Sequence, residues 1–242
     1  MKPDTYQKIA DYYEMLFSFF LKGLRSDICT YIFHKGYKRV IDACCGTGGQ
    51  LLQLKRSGME LYGIDNSPFM LEQARKACPP DIELRLLDAE RQAYDDAFFD
   101  CAIISFGLHE KHPTANHIIY SNCKKMIRQG GSIIIADYNL VPSHLSGVLI
   151  GKCLIPLIER CAGKEHFTNY NRWMQQGALE GFLARHQITT DIITQPLSRT
   201  VLCCAVKVDD SLDSYSQSFG LLEQSLRTKK QQIHAKHHEA QE

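Results

Sequence analysis

The chain has 242 residues, 44% of them hydrophobic, enough to build the core of one domain with an appendage or of two small domains. A formal net charge of +1 excludes a global field that would gather nucleic acid or an anionic membrane. The longest apolar run, Val148 to Ile158, contains Lys152 and Pro156 and falls well short of the roughly 20 residues a membrane span needs.

The start, Met1-Lys2-Pro3-Asp4, is polar and no signal peptide follows, so a cytoplasmic protein without stable membrane insertion is expected. Ten cysteines then read as reduced, mostly buried small hydrophobes, because they form no Cys-x-x-Cys framework.

In chain order, residues 1–34 read as an N-terminal helical cap rich in aromatics, with Tyr6, Tyr12 and Tyr13 beside Phe17, Phe19 and Phe20. Arg39–Ala43 is a strand, Gly48–Ser57 a helix and Glu60–Ile64 a strand. Ser67 is an N-cap, Pro68 opens the helix to Ala77, and Ile82–Leu87 is the third strand. Phe99–Ser105 is an apolar run suited to a central strand. Thr114–Arg128 is a helix closed by Gln129-Gly130-Gly131, and Ser132–Ala136 is the fifth strand. This alternation predicts an α/β fold with a mostly parallel, doubly wound sheet of the Rossmann-like kind.

The pattern then changes. Residues 141–186 hold no convincing strand and read as a helical lid insertion, Leu145–Cys161 and Asn169–His186, before the last two strands, Ile188–Thr194 and Arg199–Val208. Seven strands and a domain over residues 1–208 result. Residues 209–242 are a polar C-terminal helix or tail, whose three histidines read as a solvated face rather than a metal site.

Val40-Ile41-Asp42-Ala43-Cys44-Cys45-Gly46-Thr47-Gly48-Gly49-Gln50 runs from an apolar strand through an acid and a glycine turn into a helix. Such a turn lets the backbone approach a ligand and offers free N–H groups. A dinucleotide fingerprint counted from Gly46 would need a third glycine at position 51, which is Leu51. No Lys-Ser/Thr phosphate-loop ending follows either. The turn therefore suits an adenosine cofactor without phosphates.

Asp42, Asp65 and Asp88 end three successive strands, and in a parallel sheet all three lie along the ligand-binding edge. Asp65, 23 residues beyond Asp42, has the spacing of an acid that accepts both ribose hydroxyls. Asp88 is placed for an adenine amino group. Asp42 sits under the turn, where a carboxylate can meet an ammonium group or fix the loop.

At this point the chain resembles the class I S-adenosylmethionine-dependent methyltransferases. Their Asp-x-Gly-x-Gly-x-Gly pattern stands as Asp42-Ala43-Cys44-Cys45-Gly46-Thr47-Gly48, with Cys44 in the first glycine position. Asp65 matches the ribose acid and Asp88-Ala89 the adenine motif. Phe99-Asp100 with Ser105-Phe106-Gly107-Leu108 is similar to the ubiquinone/menaquinone C-methyltransferase group, and Met126–Ser132 to the step into its fifth strand. The resemblance covers roughly residues 35–140. It implies S-adenosylmethionine as cofactor, an antiparallel last strand, and a cofactor site of Asp42, Cys44, Gly46, Thr47, Gly48, Asp65, Asn66, Met70, Asp88, Ala89, Ser105 and Phe106. One of the N-terminal tyrosines would close over the cofactor.

The acceptor is read from absences of motif. No Asn/Asp-Pro-Pro-aromatic motif and no basic stripe points to nucleic acid, so a small, apolar acceptor, quinone-like or another metabolite, is expected. If its nucleophile needs a general base, the candidates are His109 past the fourth strand, Asp137 at the end of the fifth and His166 in the lid loop 162–167 that joins the inserted helices. No metal is expected, and the chain is a monomer or homodimer. Three other readings stay open: an NAD-dependent oxidoreductase, a non-catalytic cofactor- or redox-sensing protein on the same fold, and an arsenic- or thiol-methylating enzyme.

Overall fold

The computed structural model describes residues 10–56, 58–140, 142 and 145–209, with side chains from residue 21 onward in the first segment. The readings of the N-terminal aromatics and of the C-terminal tail lie outside the described side chains and residues.

Helix α1 (Ala10–Lys35) precedes strand β1 (Arg39–Asp42), and the chain then alternates through α2 (Gly49–Leu54), β2 (Glu60–Asp65), α3 (Pro68–Ala77) and β3 (Glu83–Leu86). It returns to β4 (Phe99–Ser105), α4 (Pro113–Met126) and β5 (Ile127–Tyr138). The sheet order is β3-β2-β1-β4-β5-β7-β6, with β6 (Asp191–Thr194) at the edge and β7 (Val201–Lys207) between it and β5. All pairings are parallel except those of β7, which runs against both neighbours.

The strand order reverses between β1 and β4. Right-handed crossovers therefore put the helix leaving β1 on one face and the helix leaving β4 on the other, and open a crevice at the carboxyl ends of these two strands. Sequence explains why β1 and β4 are central: Val40, Ile41, Cys101, Ala102, Ile103 and Ile104 are each 0% exposed, the continuous apolar run of a strand covered on both faces. Each buried Ile side chain contributes about 1.5–3 kcal/mol.

Local signals place the helices. Ser67 Oγ accepts the Met70 N–H at 3.2 Å and Pro68 opens α3, as expected from the cap and its proline. The helix before β5 closes earlier than its sequence suggests. It stops at Met126, and β5 begins at once, with a bulge that sets Phe99 opposite Ile127 but Cys101 opposite Ser132. Gly130 within that bulge has φ 74°, so the two glycines bend a strand instead of capping a helix.

The insertion is helical. Segment 145–161 is one rod, α5 (Leu145–Leu149) and α6 (Ile155–Cys161) joined by a π-helical turn at Ile150–Leu154. The rest of the insertion is two helices, α7 (Lys164–Gln175) and α8 (Ala178–Arg185), within the two or three helices the pattern allows, but α7 starts inside the 162–167 segment expected as a loop, so His166 is helical. Gly177, at φ 88°, ends the first by a left-handed step and lets Gly181 approach it closely. Before β7, Pro196–Arg199 winds with Leu197 and Ser198 at positive φ, so this turn is not a right-handed helix.

Candidate active site

The turn after β1 is held from three sides. Gly46 and Gly48 have φ 52° and 79°, conformations that favour glycine. Cys44 is not among the positive-φ residues, so its backbone has no need of glycine. Its thiol lies where a Cβ on Gly107 would stand, and thus fills space that Gly107, just past β4, leaves clear. Asp65 closes the turn from β2: its Oδ2 accepts the Gly46 N–H at 2.8 Å, and its Oδ1 accepts the Ser67 N–H at 2.9 Å. Each oxygen keeps a second lone pair for a ligand.

Two clefts meet at Cys44. The larger, about 480 Å³, is lined by Asp42, Cys44, Gly46, Thr47, Ser105 and Phe106, and by Leu21, Leu24, Arg25 and Ile28 of α1. The smaller, about 270 Å³, is lined by Cys44, Asp65, Asn66, Asp88 and Ala89, with Glu110 and Lys111. Of the twelve expected cofactor residues, ten line one cleft or both. Gly48 and Met70 line neither. Gly48 caps α2 against Cys78 and Ala74, and Met70 is buried in α3.

The clefts are acidic. Burial pushes Asp42 up to about 7, with Asp65 adding to the rise, and burial pushes Asp65 up to about 6. A nearby cation would favour both carboxylates, and Arg25, which lines the larger cleft with Asp42, already acts on Asp42 in this sense. In the smaller cleft Asp88 accepts from Glu90 N–H, Asn66 Nδ2 and Lys111 Nζ, and these outweigh its burial and hold it below the usual carboxylate range. Burial pushes the Cys44 and Cys45 thiols well up, so neither is a ready thiolate.

Phe106 forms the wall between the clefts and the insertion. It follows β4 at φ 52°, an uncommon backbone state for an aromatic, fixed by its N–H on Ala136 O at 2.8 Å. Its ring lies 5.5 Å from Tyr138 and 6.4 Å from His109.

Behind this wall the three candidate bases come together, although 28 residues separate His109 from Asp137. Asp137 Oδ1 is 2.7 Å from His109 Nδ1, while its Oδ2 accepts the Leu108 and His109 N–H groups. His166 reaches the same cluster through Glu159, whose Oε2 is 2.8 Å from His166 Nδ1 and 3.5 Å from His109 Nε2. Burial alone would depress His109, but Asp137 and Glu159 outweigh it and hold the ring well above the usual imidazole range. Glu110 and Glu159 likewise outweigh burial at His166 and bring it to about 9. Glu159, despite its own burial, is held far below the usual carboxylate range by the two imidazoles.

Sequence reasoning missed Glu159, Glu110, Lys111 and Arg25. Glu159 is the one acid in a nearly apolar helix, and that isolation was its only signal. Arg25 gives none, yet a Cβ on Gly49 would stand 2.5 Å from its guanidinium carbon, so the glycine admits this side chain over the turn.

Residues 40–131 match the family described as a methyltransferase domain. Over that central segment the chain is similar to a methyltransferase domain. Among relatives of this chain, a demethylmenaquinone methyltransferase of Beutenbergia cavernae is 27% identical over 137 residues, covering 55% of this chain and 56% of that protein. One of Thermus thermophilus is 31% identical over 122 residues, covering 48% and 54%. A ubiquinone/menaquinone biosynthesis C-methyltransferase of a Geobacter species is 28% identical over 112 residues, covering 43% and 47%. The chain spans about half the length of the curated relatives it matches. The same fold occurs in a solved O-methyltransferase family protein of Burkholderia thailandensis (TM-score 0.62, 14% identity, 84% of this chain and 60% of that one). It occurs also in the PH0226 protein of Pyrococcus horikoshii (TM-score 0.57, 16% identity, 81% and 91%).

Proposed function

We propose that this chain is an S-adenosylmethionine-dependent methyltransferase acting on a small, apolar, quinone-like acceptor. The observation that carries the cofactor reading is Asp65: its carboxylate is fixed by two backbone N–H groups and lines the smaller cleft, one turn away from the buried Asp42. Asp65 would accept from two ribose hydroxyls, Asp88 and Ala89 would hold the adenine, and Asp42 would face the ammonium end. Gly48 and Met70 would act one layer back, by shaping α2 and α3. When bound, S-adenosylmethionine supplies a methyl group on a cationic sulfur, and the chain's part is to align it and exclude water.

Acceptor chemistry follows from two features. Leu145, Leu149 and Leu157 on the 145–161 rod are 85%, 62% and 61% exposed, an apolar strip suited to a greasy molecule, and this insertion would serve as its lid. The relatives named as demethylmenaquinone methyltransferases support the same class. His109 is 3% exposed and Asp137 0%, so the cluster would take part from behind Phe106, with His166 nearest the surface. With His109 held well above the usual imidazole range and His166 at about 9, the cluster would keep its protons near pH 7 and stabilise a phenolate or enolate oxygen.

Calorimetric titration with S-adenosylmethionine and with NAD tests the cofactor; binding of NAD alone would overturn the reading. Methyl-labelled cofactor with a demethylated naphthoquinol, and mass spectrometry of the product, tests the acceptor. Cofactor binding without label transfer to any quinol would remove the quinone-like class.

A further inference from the structure

Four elements each deliver one part of the cluster behind Phe106: the loop after β4 gives His109 and Glu110, β5 gives Asp137 and Tyr138, α6 gives Glu159, and α7 gives His166. We propose that His109 Nε2, Glu159 Oε2 and His166 Nδ1 form a binding site for a divalent transition-metal ion. The inference concerns this ligand set and does not rest on methyl transfer.

Geometry is the first support. The three donor atoms lie within 4.8 Å of one another. Around a tetrahedral ion bound at about 2.0–2.1 Å, ligand atoms stand about 3.3 Å apart. Glu159 Oε2, at 2.8 Å from one imidazole nitrogen and 3.5 Å from the other, already brackets that spacing. The two rings lie at 71° to one another with centroids 5.5 Å apart.

The groups behind the ligands are the second support. His109 turns its other nitrogen to Asp137 at 2.7 Å, and His166 turns its other nitrogen to Glu110 at 2.9 Å. Tyr138 Oη donates to the remaining oxygen of Glu159 at 2.8 Å. An entering ion would displace a proton from each imidazole, and the carboxylate behind the ring would then fix its tautomer and aim the ligating nitrogen at the metal. An isolated ion pair would need only one such partner. Here both imidazoles and the glutamate are each oriented from behind.

Charge and surroundings are the third. Three carboxyl groups converge on two imidazoles, an excess of acid that a dication would balance. Phe106, Tyr138 and Tyr170 ring the site with His109, and such an apolar shell limits water around a bound ion. Two nitrogens and one carboxylate oxygen suit zinc, cobalt, iron or manganese better than calcium, magnesium or copper(I). Three protein ligands leave at least one coordination position for water or a small-molecule oxygen.

The test uses the full chain, stripped with a chelator and titrated with Zn²⁺ by calorimetry and with Co²⁺ by absorption. One ion per chain is expected, with visible cobalt bands of a low-coordinate nitrogen–oxygen site and no sulfur charge-transfer band. Asp137→Asn and Glu110→Gln should weaken Zn²⁺ by about 10–100-fold. Glu159→Gln and His166→Asn should weaken it further, while His234→Ala with His237→Ala and His238→Ala should leave it unchanged. Parent-like affinity in folded Glu159→Gln or His166→Asn would overturn the site. Should both variants unfold, the parent decides alone: a sulfur charge-transfer band, or no cobalt band, overturns it.

Discussion

Leu51 and Gly63 share a single space: a Cβ on Gly63 would stand 2.7 Å from Leu51 Cδ1 and 2.8 Å from Leu84 Cδ2. The close helix–strand packing that a dinucleotide fingerprint obtains from a glycine on the helix is obtained here from a glycine on β2. Leu51 is fully buried as a result.

Gly63→Ala should therefore destabilise the chain by about 1–3 kcal/mol through overpacking. Adding Leu51→Val should return part of that loss, although Leu51→Val alone costs stability. A double-mutant cycle by urea unfolding measures the coupling, and strictly additive effects would show that the two residues do not compete for space.

The ribose acid is tested by Asp65→Asn. A charge-assisted hydrogen bond is worth about 1.5–3 kcal/mol, so S-adenosylmethionine should bind roughly ten- to a hundredfold more weakly. Part of the loss comes from the turn, because Asp65 also holds Gly46 and Ser67. Calorimetry at pH 8, with circular dichroism to confirm folding, reads it; unchanged affinity would remove Asp65 from the site.

Asp42 predicts a proton. Burial sets its value at about 7 in the folded chain, against about 4 in an unfolded one. Between these values the folded state holds a proton that the unfolded state has lost, so stability of the free protein falls as pH rises through this window. A cation in the cleft favours the carboxylate. Binding near pH 7 should then release a fraction of a proton, and affinity should rise with pH up to about 7. Titrations in buffers of different ionisation heat measure the release, which Asp42→Asn should abolish. The same variant should melt above the parent at pH 8. Identical heats in all buffers would mean that Asp42 does not meet the cation.

Thiol accessibility gives an independent check on the turn. Cys153 and Cys161 are exposed, six cysteines are buried, and Cys44 and Cys78 lie between. Two of the ten thiols should react quickly with a chromogenic disulfide, and Cys44 slowly because burial holds its thiol well up. S-adenosylmethionine should slow Cys44 further. Mass spectrometry of the labelled peptides assigns each site, and fast labelling of Cys44 would contradict the packing around Gly107.

Much of the fold was legible because its signals are local. Phe99–Ser105 and Leu145–Cys161 keep their expected ends, since an apolar run broken only by Asp100 and a proline-tolerant apolar helix announce themselves. Ser67 and Pro68 did the same for α3. What escaped depends on partners far along the chain. Gly177 reads as a tolerated helical glycine until Gly181 is seen packed beneath it. Glu159 reads as a stray acid until two imidazoles from other elements arrive beside it. His109, Asp137 and His166 stood out as candidates because each sits near a strand end or in the insertion. Their contact needed the fold.

The exchange between Cys44 and Gly107 changes what a glycine motif measures. A search that scores Asp42–Gly48 as a string counts Cys44 as a mismatch, whereas the molecule has moved the vacancy to another loop about sixty residues on. In this chain the Cys44 thiol occupies the space beyond β1 and β4 that a side chain at 107 would otherwise fill. Sequences with a bulkier residue at position 44 should be sought among those that keep glycine at 107, and the pair should vary together as one unit of inheritance.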